Sequence, residues 1–178
     1  MAQNSNIFDP SRIKMFAGLG NPGTPYRNTY HNIGFAAAEL LSGTSPGAEW
    51  KKAKDFLYVR SGSLVFLKPK NFMNESGASI SNALRYFKIK PENLLIIHDE
   101  SDIETGDYRL SFGSGAAGHK GVASVIERLK TKDFWRARIG VRSRKGKAGD
   151  FVLKKISAGD GKKLKAALEG LRMVLLND

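Results

Sequence analysis

Residues 91–100 read PENLLIIHDE, and how this stretch is read decides the fold. Pro91 opens a turn, and Leu94–Ile97 form an unbroken apolar run that stops abruptly at His98-Asp99-Glu100. A strand wetted on one face alternates apolar and polar side chains. A run without alternation predicts a strand covered on both faces, as in a parallel sheet between helices. The apolar run 13–19 behaves in the same way and ends in Gly-Asn-Pro-Gly, a tight turn.

Working outward, Phe35, Ala38 and Leu41 recur at helical spacing until Gly43, and 43–54 reads as an exposed loop. Two short strands are expected at 56–61 and 64–67, joined by a Ser-Gly-Ser hairpin turn. Asn74 is placed to cap a helix whose inner face is Ile80, Ala83, Leu84 and Phe87. A strand near 108–112 enters GSGAAGHKG (113–121), and a helix follows with Val122, Val125, Ile126 and Leu129 on one face. After a strand at 137–141 and the basic loop RSRKGKAGD (142–150), Leu164, Leu168, Leu171 and Leu175 line a last amphipathic helix. Strands and helices alternate without repeats. The expectation is one α/β domain over 1–178, with a mixed, largely parallel twisted sheet, helices on both faces and a loose N-terminal extension at 1–12.

At 178 residues and 41% hydrophobic content the chain can close one sizeable core. The absence of cysteine excludes a disulfide framework, a thiol nucleophile and thiolate-bound zinc. No run of 18 apolar residues is present, and MAQNSNIFDPSR lacks the apolar centre of a signal peptide, so a cytoplasmic protein with no membrane partner is expected. The formal charge is +12, which points to a polyanionic partner. The surplus is concentrated: residues 142–165 hold nine Lys/Arg against Asp150 and Asp160, a net +7.

Ligands of open α/β sheets gather beyond the carboxyl ends of the strands. Three such places each carry a histidine: the turn after Leu19 leads to His31, the run 94–97 ends at His98-Asp99, and the glycine loop holds His119. A neutral imidazole is the commonest general base, and a carboxylate on its far nitrogen fixes the tautomer and stabilises the imidazolium. His31 with Asp99 is the pair to test; the alternative, and the commoner role for any single histidine, is that His31 merely caps a helix. No Gly-x-Ser-x-Gly elbow is present, so water is the simpler nucleophile. His98, Asp99, Glu100 and Asp102 lack a spacing that places metal ligands on one face, and neither metal nor cofactor is expected. GLGNPG (18–23) matches a dinucleotide fingerprint, but Pro22 removes an amide from the loop that must bind pyrophosphate. Asn21, with donor and acceptor, suits orientation of a peptide or carbonyl group.

Taken in order, GLGNPG, YRNTYHNIG, LKPKNFMNESG, HDESD and GHKG resemble the bacterial-type peptidyl-tRNA hydrolase family, with RARIGV and FVL extending the likeness to about residue 153. The resemblance implies an enzyme that hydrolyses the ester between a peptide and the 3' end of tRNA, recycling the tRNA for translation; one tRNA face and one site need no partner subunit, so a monomer is expected. It implies His31 as the base that activates water and Asp99 as the group that stabilises it. Asn21, Asn74 and Met73 would bind substrate; Tyr26, Phe72 and Asn74 would meet the tRNA end. Arg138 would grip an acceptor-stem phosphate, with Lys120, Arg142, Arg144 and Lys145 on the same RNA. Two positions depart from the family pattern: Lys120 stands where asparagine is usual, and Tyr30 where arginine is usual. The alternative is a tRNA- or RNA-binding module that keeps the fold without turnover.

Overall fold

The computed structural model describes residues 7–43, 49–142 and 151–176. Its strands are β1 (Met15–Gly18), β2 (Lys51–Lys52), β3 (Phe56–Ser61), β4 (Leu64–Pro69), β5 (Leu94–Glu104), β6 (Tyr108–Phe112) and β7 (Trp135–Arg142). They form one seven-stranded sheet in the order β2-β3-β4-β1-β5-β7-β6. The inner strands β4, β1, β5 and β7 run parallel, and the pairings β4-β3, β3-β2 and β7-β6 are antiparallel. All four inner strands therefore deliver their carboxyl ends to one edge.

Helices α1 (Ile33–Leu41) and α4 (Ala158–Leu176) cover one face, over Phe16, Leu95, Ile97, Ala137 and Ile139. Helices α2 (Ser76–Phe87) and α3 (Lys120–Leu129) cover the other, over Met15, Ala17, Val65, Leu67, Leu94 and Ile96. Leu95 and Ile96 thus bury on opposite faces, which is why the run 94–97 shows no alternation. Gly34 lets α1 lie directly on the sheet: a Cβ there would stand 2.4 Å from the carbonyl oxygens of both Leu19 and Ile97. The start of α1 is thereby pressed against the ends of β1 and β5.

Several expectations are corrected. β5 does not stop at His98 but continues to Glu104, pairing again with β7 after a register shift between Glu100 and Glu104. Its charged residues stay in the strand because neighbouring elements supply partners for them. The loop 43–54 contains the short edge strand β2, whose two lysines are exposed. Asn74 is not the cap of α2; it lies in a 3-10 turn, Met73–Glu75, and the cap position falls to Glu75, which makes no side-chain capping bond. Of the stretch 1–12 expected to be loose, residues 1–6 lie outside the described residues. Phe8 packs edge-on against Trp135 at 4.9 Å, and Asn93 Nδ2 donates to the Arg12 carbonyl at 2.7 Å. No helix among the described residues is long and apolar enough to cross a membrane.

Candidate active site

The carboxyl ends of β1 and β5 bring together the turn 19–23, the 3-10 turn Tyr30–Asn32 and Asp99. His31 Nδ1 donates to Asp99 Oδ1 at 2.8 Å. Because a carboxylate only accepts, this bond places the ring proton on Nδ1 and leaves a lone pair on Nε2. His31 is therefore not a helix cap. Its side chain is 14% exposed and that of Asp99 only 4%, so the imidazole is reachable while its partner is sealed off.

A second histidine shares the same oxygen. The Val122 amide donates to His119 Nδ1 at 3.2 Å, capping α3, which leaves the ring proton on Nε2 to be donated to Asp99 Oδ1 at 3.0 Å. Burial pushes the Asp99 carboxyl upward, but the bonds from His119 and His31 outweigh it and hold the group well below the ordinary carboxylate range. Asp99 is thus a fixed negative charge at any pH at which the protein works. His98 is fully buried; its Nδ1 donates to the Asp99 carbonyl at 2.7 Å and its ring meets His119 edge-on at 4.6 Å. Burial first, and His119 beside it, hold His98 well below the usual imidazole value.

His31, Asp99 and His119 are also the group of metal-ligating type among the described residues, with their ligand atoms within 4.8 Å of one another. A metal would require a lone pair on His119 Nε2, and the Val122 amide keeps the proton there. The arrangement suits proton transfer better than coordination.

Asn21 is buried and organises the neighbouring wall. Its Oδ1 accepts from the Met73 amide at 2.8 Å, its backbone N–H donates to Asn32 Oδ1 at 2.9 Å, and Asn32 Nδ2 returns a bond to the Asn21 carbonyl at 2.9 Å. The Asn21 Nδ2 has no partner among the described residues. Met73, expected to touch substrate, is instead 4% exposed and packs in the core; what it brings to the site is its amide bond to Asn21. Phe72 is 50% exposed, and the half-buried ring of Tyr26 meets it edge-on at 6.1 Å. Asn74 is exposed beside them and its carboxamide makes no bond to the described residues.

Lys120 is exposed at the first turn of α3, adjoining His119. Arg138 is partly engaged: its Nε and Nη2 both meet Glu100 Oε2 at 3.0 Å. Arg142 donates to the carbonyls of Ser101 and Asp102 and remains exposed. Arg144 and Lys145 lie outside the described residues. Arg136 shares a face with Arg138, as alternation along β7 requires, but it is 2% exposed and directed into the protein. Tyr30 is also inside: its hydroxyl donates to Asp160 Oδ2 at 2.6 Å and its ring lies 4.1 Å from that of Phe151.

Sequence reasoning missed the bond of His119 to Asp99, the reciprocal Asn21–Asn32 pair and the Glu100–Arg138 pair. His119 had a signal, since it follows a strand end in a glycine loop; the other two pairs had none.

Comparison with known proteins agrees with this geometry. A family model described as peptidyl-tRNA hydrolase matches residues 15–176. A peptidyl-tRNA hydrolase of Coxiella burnetii (strain CbuG_Q212) is 40% identical over 166 residues, covering 91% of this chain and 89% of that protein. One from Mycobacterium sp. (strain KMS) is 40% identical over 146 residues, covering 78% and 76%. The crystal structure of peptidyl-tRNA hydrolase from Acinetobacter baumannii superposes with a TM-score of 0.81 at 30% identity, covering 94% of this chain and 90% of that one. With the family model spanning every strand and helix of the sheet-and-helix body, the chain belongs to the peptidyl-tRNA hydrolase family.

Proposed function

We infer that this protein hydrolyses the ester bond between the peptide and the 3' end of tRNA in peptidyl-tRNA, with His31 as the general base. The observation that carries the reading is the His31–Asp99 bond at 2.8 Å, which leaves the Nε2 lone pair available at a strand-end site. Nε2 takes a proton from water, and the resulting hydroxide oxygen attacks the ester carbonyl carbon. Asp99, already ionised, stabilises the imidazolium. The tetrahedral oxyanion collapses, the bond to the ribose oxygen breaks, and the imidazolium returns its proton to that oxygen, giving free peptide and tRNA. An ester is activated relative to an amide, so a positioned base and water suffice.

Asn74 supplies a donor toward the oxyanion, a contribution of roughly 2.7 to 4 kcal/mol for such groups. Asn21 Nδ2 faces the peptide, and Tyr26 and Phe72 meet the terminal base of the tRNA. Arg138 and Arg142 on β7, Lys120 at the start of α3, and Arg144 and Lys145 neutralise phosphates. The free edge of the Arg138 guanidinium and the exposure of Lys120 support that assignment. The protein works in the cytoplasm as a monomer, since one chain supplies every group named. A binding module without turnover is not favoured, because the base and its carboxylate are both present and bonded.

The test is release of peptide from N-blocked aminoacyl-tRNA in the presence of EDTA, with wild type and His31→Ala compared at equal folded concentration. The expected outcome is metal-independent turnover that falls by about 10²–10⁴ in the variant. Wild type that binds tRNA but releases no peptide would overturn the reading.

A further inference from the structure

The basic segment 142–165 contributes most to the chain's positive surplus, and one of its lysines is engaged within the fold. Lys155 Nζ donates to the carbonyl oxygens of Pro25 at 2.8 Å and Arg27 at 2.6 Å. These acceptors flank Tyr26. The backbone around Lys155 is also laid along the segment that carries the base: the Ile156 amide donates to the Asn28 carbonyl at 2.8 Å, the Tyr30 amide to the Lys154 carbonyl at 3.3 Å and the His31 amide to the Val152 carbonyl at 2.8 Å. Thr29 and Lys155 form an antiparallel bridge within this ladder. Thr29 is buried, and its hydroxyl donates to the Tyr26 carbonyl at 2.8 Å. Asn28 sits in the left-handed region at φ 57°, a conformation that needs its surroundings to hold it.

We propose that Lys155 is a positioning residue for hydrolysis: its ammonium clamps the turn 25–27 onto the strap 152–156, and so fixes both Tyr26 and the backbone of His31. The proposal rests on the hydrolase reading above and departs from the assumption that every cation of the basic segment faces phosphate. Two carbonyls on alternate residues converge on this ammonium and take two of its three N–H donors, so the side chain is held against the turn 25–27. Loss of the clamp would loosen the base and the Tyr26 wall together. Positions matter here at the level of an ångström, because the reacting groups must meet in a narrow geometry.

The experiment compares wild type, Lys155→Met and Lys154→Met in steady-state release of peptide from N-blocked aminoacyl-tRNA across a salt series. Lys154 is exposed, and its side chain has no bond among the described residues. The expected result for Lys155→Met is a fall in kcat of about tenfold, with the slope of log kcat/KM against log salt unchanged. For Lys154→Met the slope should shallow by up to about one, the signature of a lost phosphate contact. A Lys155→Met variant with wild-type kcat, whether or not KM and the salt slope move, overturns the proposal. Should Lys155→Met fail to fold, Lys155→Arg decides: it keeps the charge but replaces a point donor by a planar fork. A lowered kcat then supports positioning, and full wild-type kinetics overturn it. Absence of turnover in wild type itself would instead remove the hydrolase reading, and this proposal with it.

Discussion

Asp99 accepts two imidazole N–H bonds on one oxygen while almost wholly buried, and the two donors are not equivalent. His119 accepts the Val122 amide on Nδ1 and meets Asp99 through Nε2, whereas His31 meets Asp99 through Nδ1 and keeps Nε2 turned away from it. The third histidine has a different consequence. The folded-state pKa of His98 lies below its unfolded value, so the unfolded chain binds the extra proton first. Its contribution to stability is therefore fully present above the ordinary imidazole value and is lost as pH falls below it. The slope approaches about 1.4 kcal/mol per pH unit for one such group. His98→Gln, which cannot charge, should lose less stability than wild type between about pH 6.5 and pH 5. Denaturant melts across that range would show the difference, and parallel curves would sink the idea. At this scale the sequence disclosed His31 and Asp99 because strand ends and residue types are local signals. The bond from His119 depends on how far α3 reaches over the sheet, and no spacing in the chain encodes that.

Helix α1 reaches the site because Gly34 lets it touch the strands beneath. Gly34→Ala would place a methyl group 2.4 Å from two backbone oxygens, and neither neighbour is a side chain that can swing away. The expected cost is about 3 kcal/mol or more of stability, toward the upper end for overpacking. The urea midpoint reads this directly, and a midpoint equal to wild type would contradict the packing argument. The same scale shows where reading from sequence ends. The run 94–97 disclosed a doubly covered strand, but the charges of HDESD looked like its end. They are accommodated because α1 and α3 bring histidines to Asp99 and β7 brings Arg138 to Glu100. Asn74 looked like a cap for a similar reason: its residue type favours caps, and the 3-10 turn that shifts the helix start by one residue leaves no mark in composition.

For the molecule as a whole, net charge and its concentration in 142–165 were visible from residue counts alone. Which cations face outward was not. Arg136 is buried, with burial first and Arg138 beside it depressing its pKa, and Lys155 is held by two carbonyls. On the proposed reading, six cations meet phosphate: Lys120, Arg138, Arg142, Arg144, Lys145 and Lys154. Counterion release from six contacts predicts that kcat/KM falls roughly a thousandfold between about 50 and about 200 mM salt. A fall of less than about threefold would mean that the basic surface does not carry the affinity.

The strap that holds the backbone of His31 comes from residues 152–156, and Tyr30 is tied to Asp160, 130 positions further along the chain. Ribosomes make His31 early and the strap along its backbone late. During synthesis residues 25–31 emerge well before the segment 152–156 that is bonded to them. The nascent chain is itself a peptidyl-tRNA, and this order of emergence leaves an unfinished copy without the strap on its His31 backbone until most of it has been translated.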